Sequence, residues 1–215
     1  MENQFAHNLL LRLEQIHFSY PGNIVFNDVS ANIPPGLTVL QGDESTGKTT
    51  LLNIIAGKLP LSSGCIQYPV FGMLDSRQLM KHQYFFVGED AADWESRTPL
   101  AFFEGCRSRY GTMHDQTLED LVNAFGLAEH VEKNLYMLSR GSKRKVWLAA
   151  AFAVDAPLTL MDDPFIALDH QSVCLLKDLI NEAADWTDKA LIMTQHILDP
   201  ELNPTYLIDL NKAHS

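Results

Sequence analysis

The stretch Gly42 to Thr50, GDESTGKTT, constrains this chain more than any other. Its Gly42, Gly47, Lys48 and Thr49 fill the fixed positions of G-x-x-x-x-G-K-[ST]. A short apolar run, Leu37 to Gln41, leads into it, and a helical pattern from Lys48 to Ala56 leads out and stops at Gly57. Strand, glycine loop and helix in that order let successive backbone N–H groups point into one concavity. The helix N-terminus adds positive potential there, which suits the phosphates of a nucleoside triphosphate. Lys48 is then placed to reach the β and γ phosphates, and Thr49 to offer its hydroxyl to Mg²⁺. The candidate nucleotide cradle is Gly42, Asp43, Glu44, Ser45, Thr46, Gly47, Lys48, Thr49 and Thr50, for a nucleoside triphosphate with Mg²⁺.

The flanking sequence specifies how such a loop is supported. Leu9 to Tyr20 partly alternates apolar and polar residues, turns at Pro21-Gly22 and returns from Ile24 to Ile33, which predicts an N-terminal antiparallel β portion. Further strands are expected at Cys65 to Tyr68, Tyr84 to Val87, Leu158 to Met161, Ala190 to Thr194 and Tyr206 to Leu210. Helices are expected at Ser142 to Val154 and Ser172 to Ala184. Strands alternating with helices imply an α/β fold around a mostly parallel, covered sheet. Between Pro99 and Arg140 the apolar spacing becomes helical, as in Leu118, Leu121, Val122 and Phe125, which predicts an inserted helical subdomain, taken as approximately 90–145 of a single domain 1–215.

Composition narrows the partners. Lys and Arg number 16 against 27 acids, a net charge of −11, so phosphate neutralisation of DNA or RNA is not expected. Cys65, Cys106 and Cys174 lie far apart with no zinc-type spacing, so neither a disulfide framework nor a zinc site is expected. The longest apolar run, Val146 to Val154, is far short of the ~20 residues that span a bilayer, and the polar start MENQFAHN lacks a signal pattern, so a cytoplasmic chain is expected.

Downstream, Leu158 to Asp162 is an apolar strand ending in a carboxylate, with Asp163 next. Asp163 could cap the turn before Pro164, but beside a phosphate loop Asp162 gains a role as a carboxylate near the Mg²⁺. Leu138-Ser139-Arg140-Gly141-Ser142 resembles the LSGGQ signature of ATP-binding cassette (ABC) ATPases, and Ile166-Ala167-Leu168-Asp169 resembles their D-loop. His196, after the strand ending at Thr194, resembles their switch histidine. The order of these motifs resembles the ABC order from about Leu11 to Leu210. The resemblance implies a P-loop NTPase core in which two cassettes meet head to tail and Ser139, Arg140, Gly141 and Ser142 of one close over the ATP of the other. It implies adenine stacking on Tyr20, which could instead be a plain strand-end tyrosine, and catalysis by Asp163 and His196. The metal set it implies is Thr49, Asp162 and Glu89, the last standing where the family has its Q-loop glutamine.

Departures from the family pattern bear on rate. Arg140 replaces the first signature glycine and Ser142 the glutamine, which the backbone role of that turn tolerates, whereas Asp163 stands in place of the usual glutamate, so slow hydrolysis is expected. The basic run Lys143-Arg144-Lys145 suggests a solvated helix face, or an attraction for nucleotide from the opposing subunit, and Trp94 in AADWESR suggests an exposed ring at a coupling surface. The resemblance implies an ATP-hydrolysing subunit of a membrane transporter, peripheral on the inner face of the membrane through a membrane-spanning partner, and an ATP-dependent homodimer. In size the chain resembles the haem-exporter type of cassette. A soluble cassette ATPase without transport, or a small P-loop kinase using Lys48 and Arg140, are the alternatives.

Overall fold

A computed structural model describes residues 9–69, 74–75, 83–88 and 91–212. The chain forms two compact units: Met1–Met80 with Leu160–Asp163 and Ile180–Ser215, and Lys81–Thr159 with Pro164–Leu179.

In the first unit, β1 (Leu11–Tyr20) and β2 (Asn23–Ile33) form the expected hairpin, Tyr20 opposite Asn23 and Leu11 opposite Ile33. Leu11, Leu13, Ile16 and Phe18 are buried, so the alternation slips by one residue between Leu13 and Ile16. The cause is a bulge: the register shifts there, and Gln15 takes a φ of 48°. Across from it runs β4 (Ser63–Tyr68), whose Gly64, at φ +88°, would place a Cβ only 2.1 Å from the Gln15 carbonyl oxygen. No other residue fits beside that bulge. With β5 (Leu74–Asp75), the sheet order is β2-β1-β4-β5.

The second sheet system of this unit carries the loop. β3 (Gly36–Gln41) runs parallel to β8 (Ala190–Gln195) on one side, Gly36 opposite Ala190 through Gln41 opposite Gln195, and to β9 (Tyr206–Asp209) on the other. The end of β7 (Leu158–Met161) lies next to β8. β3 and β8 are buried along nearly their whole length, which is why both read as unbroken apolar runs. Helix α1 (Lys48–Ile55) follows the loop and buries Leu51, Leu52, Ile54 and Ile55.

The second unit holds β6 (Tyr84–Val87), beside the start of β7, and the helices α2 (Ala91–Trp94), α3 (Pro99–Tyr110), α4 (Asp115–Ala124) and α5 (Arg140–Ala153), with most of α6 (His170–Ala183). Thr98 caps α3 by accepting from the Ala101 N–H at 3.2 Å, Pro99 opens it, and Gly111, at φ 74°, ends it. Two helices begin earlier than apolar spacing predicts, because the caps and not the apolar residues set their starts. Ser139 caps α5, and the Asp169 carboxylate accepts from the Ser172 N–H at 2.9 Å at the head of α6.

Trp94 is half-buried, which corrects the exposed ring expected from its acidic neighbours. Its ring stacks edge-on against Phe102, centroids 5.2 Å apart, and lies so close to Gly105 that a Cβ there would fall 2.3 Å from Trp94 Cη2. Phe102 continues the cluster to Trp147 at 4.5 Å.

Candidate functional site

The loop between β3 and α1 is shaped by sterics at both ends. A Cβ on Gly42 would fall 2.5 Å from Thr46 Oγ1, and one on Gly47, at φ +89°, would fall 2.5 Å from Val25 Cγ1 and 2.8 Å from Phe26 Cζ. Ser45 also takes a positive φ, 66°. Inside the turn the Thr46 hydroxyl donates to the Asp43 carbonyl at 2.9 Å, and the Asp43 N–H donates to Asn211 Oδ1 at 3.0 Å. Lys48 Nζ bends back across the loop and donates to the carbonyls of Gly42, at 2.6 Å, and Asp43, at 2.7 Å. That holds an ammonium over the concavity. No side chain caps α1 and none of its own first-turn residues is acidic. A cavity of about 400 Å³ opens here, lined by Tyr20, Asn23, Val25, Glu44, Ser45, Gly47, Lys48, Thr49, Thr50 and Asp163. The size suits a nucleotide.

Tyr20 closes one side. It is 43% exposed, its ring is braced edge-on by Phe18 at 4.9 Å, and its hydroxyl lies 3.4 Å from Thr50 Oγ1. A ring supported from behind with one face open can stack on a flat base.

The acids come from the end of β7. Asp162 Oδ2 accepts from the Thr49 hydroxyl at 2.8 Å, which joins the strand end to the first turn of α1. Asp162 Oδ1 accepts from Thr194 Oγ1 at 2.8 Å, and Thr194 Oγ1 accepts from the Asp163 N–H at 2.8 Å. Asp163 sits at φ 42°, in the left-handed region that aspartate tolerates better than most residues. Thr194 itself is fully buried, and sequence reasoning used it only to mark the end of a strand.

A hydroxyl and a carboxylate form an oxygen donor set of the kind Mg²⁺ selects, and no group of three or more His, Cys, Asp or Glu among the described residues could cage a metal. The arrangement fits an ion shared with bound phosphates, held on the protein side by Thr49 and Asp162. Glu89 lies outside the described residues. His196 stands one residue beyond β8, exposed, with Nδ1 3.9 Å from Asp43 Oδ1.

In the second unit, Ser139 Oγ accepts from the Ser142 N–H at 3.0 Å and lies 2.9 Å from Ser142 Oγ, so the segment carrying Ser139, Arg140, Gly141 and Ser142 is the capped first turn of α5. A Cβ on Gly141 would fall 2.4 Å from the Ala167 carbonyl oxygen, and Ala167 has a φ of 64°. The two loops thus press together at a backbone contact only glycine permits. Lys145 pairs with Asp169 and Lys143 with both oxygens of Glu95 at 2.7 Å, so these two lysines are engaged within the unit and do not form a solvated face. The hydrogen bond from Lys145, with that from the Ser172 N–H, holds the Asp169 carboxyl well below the usual carboxylate range. Burial pushes the Cys106 thiol up to about 12, which keeps it neutral.

A glycine-framed loop between strand and helix, with its threonine hydrogen-bonded to a carboxylate at the end of a buried strand, defines a P-loop nucleoside triphosphatase of α/β fold. The sequence model described as ABC transporter matches residues 26–166, and the chain belongs to that family. It is 30% identical over 197 residues to the taurine import ATP-binding protein TauB of Pseudomonas fluorescens, covering 88% of this chain and 73% of that protein. It is 27% identical over 210 residues to the cytochrome c biogenesis ATP-binding export protein CcmA of Xylella fastidiosa, covering 95% of each. A solved structure of a putative ABC transporter ATP-binding protein from Pyrococcus furiosus shares the fold, with a TM-score of 0.77 at 22% identity, covering 94% of this chain and 98% of that one. The chain is an ATP-binding, ATP-hydrolysing subunit that energises translocation through membrane-spanning transporter partners. Among the described residues, no helix is long and apolar enough to cross a membrane.

Proposed function

We propose that residues 1–215 act as a single cassette domain, with a helical subdomain at approximately 90–145, that binds ATP on the loop Gly42 to Thr50 with its adenine against Tyr20. The observation that carries this is the 2.8 Å hydrogen bond between Thr49 and Asp162, because it brings a metal-type hydroxyl and carboxylate together beside Lys48. Mg²⁺, when bound, supplies charge neutralisation on the phosphates. This chain's own residues do the remainder: Lys48 turns from the loop carbonyls to the phosphates, and Thr49 and Asp162 would hold the metal, joined by Glu89 on the strength of its place in the sequence alone.

Asp163 orients and deprotonates the attacking water, and its short side chain makes that step slow. Aspartate is one methylene shorter than glutamate, and misplacement near 1 Å costs roughly 100-fold in rate. His196 contacts the terminal phosphate from beside Asp43. The turn Ser139 to Ser142 of a second copy closes over the same nucleotide, presenting N–H groups at a helix start to its phosphates.

The working form is therefore an ATP-dependent homodimer carried on the cytoplasmic face of a membrane by the spanning partner. The taurine and cytochrome c biogenesis proteins bracket import and export, and the choice of cargo belongs to the partner. Light scattering on Asp163→Asn, which binds without turning over, should show monomer without nucleotide and dimer with Mg²⁺-ATP. Monomer under both conditions, with and without the partner, would remove the dimer model.

A further inference from the structure

We propose that Thr194 is a positioning residue for hydrolysis, a single hydroxyl that sets the orientation of both acids at the end of β7. The proposal rests on the nucleotide-site assignment above and adds a residue to it.

A threonine hydroxyl carries one proton and two lone pairs. Here its partners fix the direction of each bond. The Asp163 N–H can only donate, so Thr194 Oγ1 accepts from it at 2.8 Å, and the proton of Thr194 goes to Asp162 Oδ1 at 2.8 Å. Asp162 is consequently gripped at both oxygens, by Thr194 on Oδ1 and by Thr49 on Oδ2, which fixes the rotation of its carboxylate plane. Asp163 is held differently, through its backbone. Its φ of 42° is uncommon for a residue with a side chain, and the Thr194 hydroxyl accepts the N–H that this conformation turns toward β8. The direction in which the Asp163 carboxylate leaves the chain follows from that conformation.

Thr194 is itself immobile. It is fully buried in β8, opposite Leu40 of β3 in the parallel register that continues to Gln195 opposite Gln41, where the loop begins. The strand that launches the phosphate loop and the hydroxyl that aims the acids are thereby in one rigid register. A hydrolytic step needs such alignment more than nucleotide binding does, because Lys48 and the loop amides hold phosphate without the acids.

Thr194→Val keeps the shape and removes the hydroxyl, whereas Thr194→Ser keeps the hydroxyl. Four measurements test the proposal: melting temperature, ATP affinity in EDTA, phosphate release with Mg²⁺-ATP, and exchange of the Asp163 amide hydrogen in nucleotide-free protein. For Thr194→Val the expected result is ATP affinity in EDTA within about twofold of the natural chain, turnover down roughly 10- to 100-fold, and faster exchange at Asp163. Thr194→Ser should restore turnover and slow exchange. If Thr194→Val does not fold, Thr194→Ala is measured in the same way. Undiminished turnover and unchanged exchange in the variants lacking the hydroxyl would overturn the proposal, as would an equal loss of metal-free ATP affinity, which would mark Thr194 as merely structural. Lys48→Ala serves as the control: if it binds ATP as tightly as the natural chain, the nucleotide site is wrongly assigned, and the proposal falls with it.

Discussion

Single residues at this site are chosen for conformation as much as for chemistry. Gly47 combines a φ of +89° with a Cβ position 2.5 Å from Val25 Cγ1, so Gly47→Ala must shift the loop or the hairpin behind it. A loss of stability of about 1–3 kcal/mol, read as a lower melting temperature, should accompany weaker ATP binding. Asp163 poses the opposite problem. Asp163→Asn tolerates φ 42° equally well and should nearly abolish phosphate release while leaving ATP affinity within about twofold. Asp163→Glu extends the carboxylate by one methylene and should raise turnover, at the expense of a slightly lower melting temperature. If Asp163 served only as a cap, Asp163→Asn would leave phosphate release unchanged. Gly42, Lys48, Thr49 and Asp162 were legible in the sequence because their types recur at fixed spacing on a strand-loop-helix. Thr194 was not, since a threonine ending an apolar strand is ordinary and its bond to Asp162 joins positions 32 apart.

At the scale of elements, caps and ion pairs decide what hydrophobic spacing leaves open. The apolar pattern locates β3, β8, α1 and α5, but Ser139 and Asp169 set where α5 and α6 begin, and the bulge at Gln15 is a register shift that residue spacing alone does not encode. Trp94 escaped sequence reasoning because its partner is the absence of a side chain at Gly105. The Lys145–Asp169 pair makes a pH-dependent contribution with a definite sign. Asp169 is depressed by Lys145, so its contribution is fully present above the ordinary aspartate value near 4, declines as pH falls below it, and is lost only when the folded carboxyl, held much lower, takes up its proton. Thermal melts between pH 3 and 7 should show Asp169→Asn destabilising the protein most at pH 7 and measurably less at pH 3, with the difference shrinking at high salt because Asp169 is largely exposed. Cysteine reactivity reports on the same unit. Exposed Cys174 should alkylate first at pH 8, and buried Cys106, its thiol pushed up to about 12, only when the protein unfolds, as mass spectrometry of timed iodoacetamide reactions can show.

For the molecule as a whole, the ATP-binding role follows from one arrangement: a loop that lines a cavity together with Lys48, tied by Thr49 to the carboxylate at the end of β7. The family assignment states what such a machine is for, and each step proposed above, whether pairing of copies, slow hydrolysis or work on a membrane partner, depends on nucleotide entering that cavity. Calorimetric titration of Mg²⁺-ATP into the natural chain and into Lys48→Ala tests this most directly. Removing an ammonium that faces the phosphates should weaken binding by roughly tenfold or more, since hydrogen bonds to charged groups contribute about 1.5–3 kcal/mol. Equal affinity for the two proteins, or no saturable binding to the natural chain, would contradict the account.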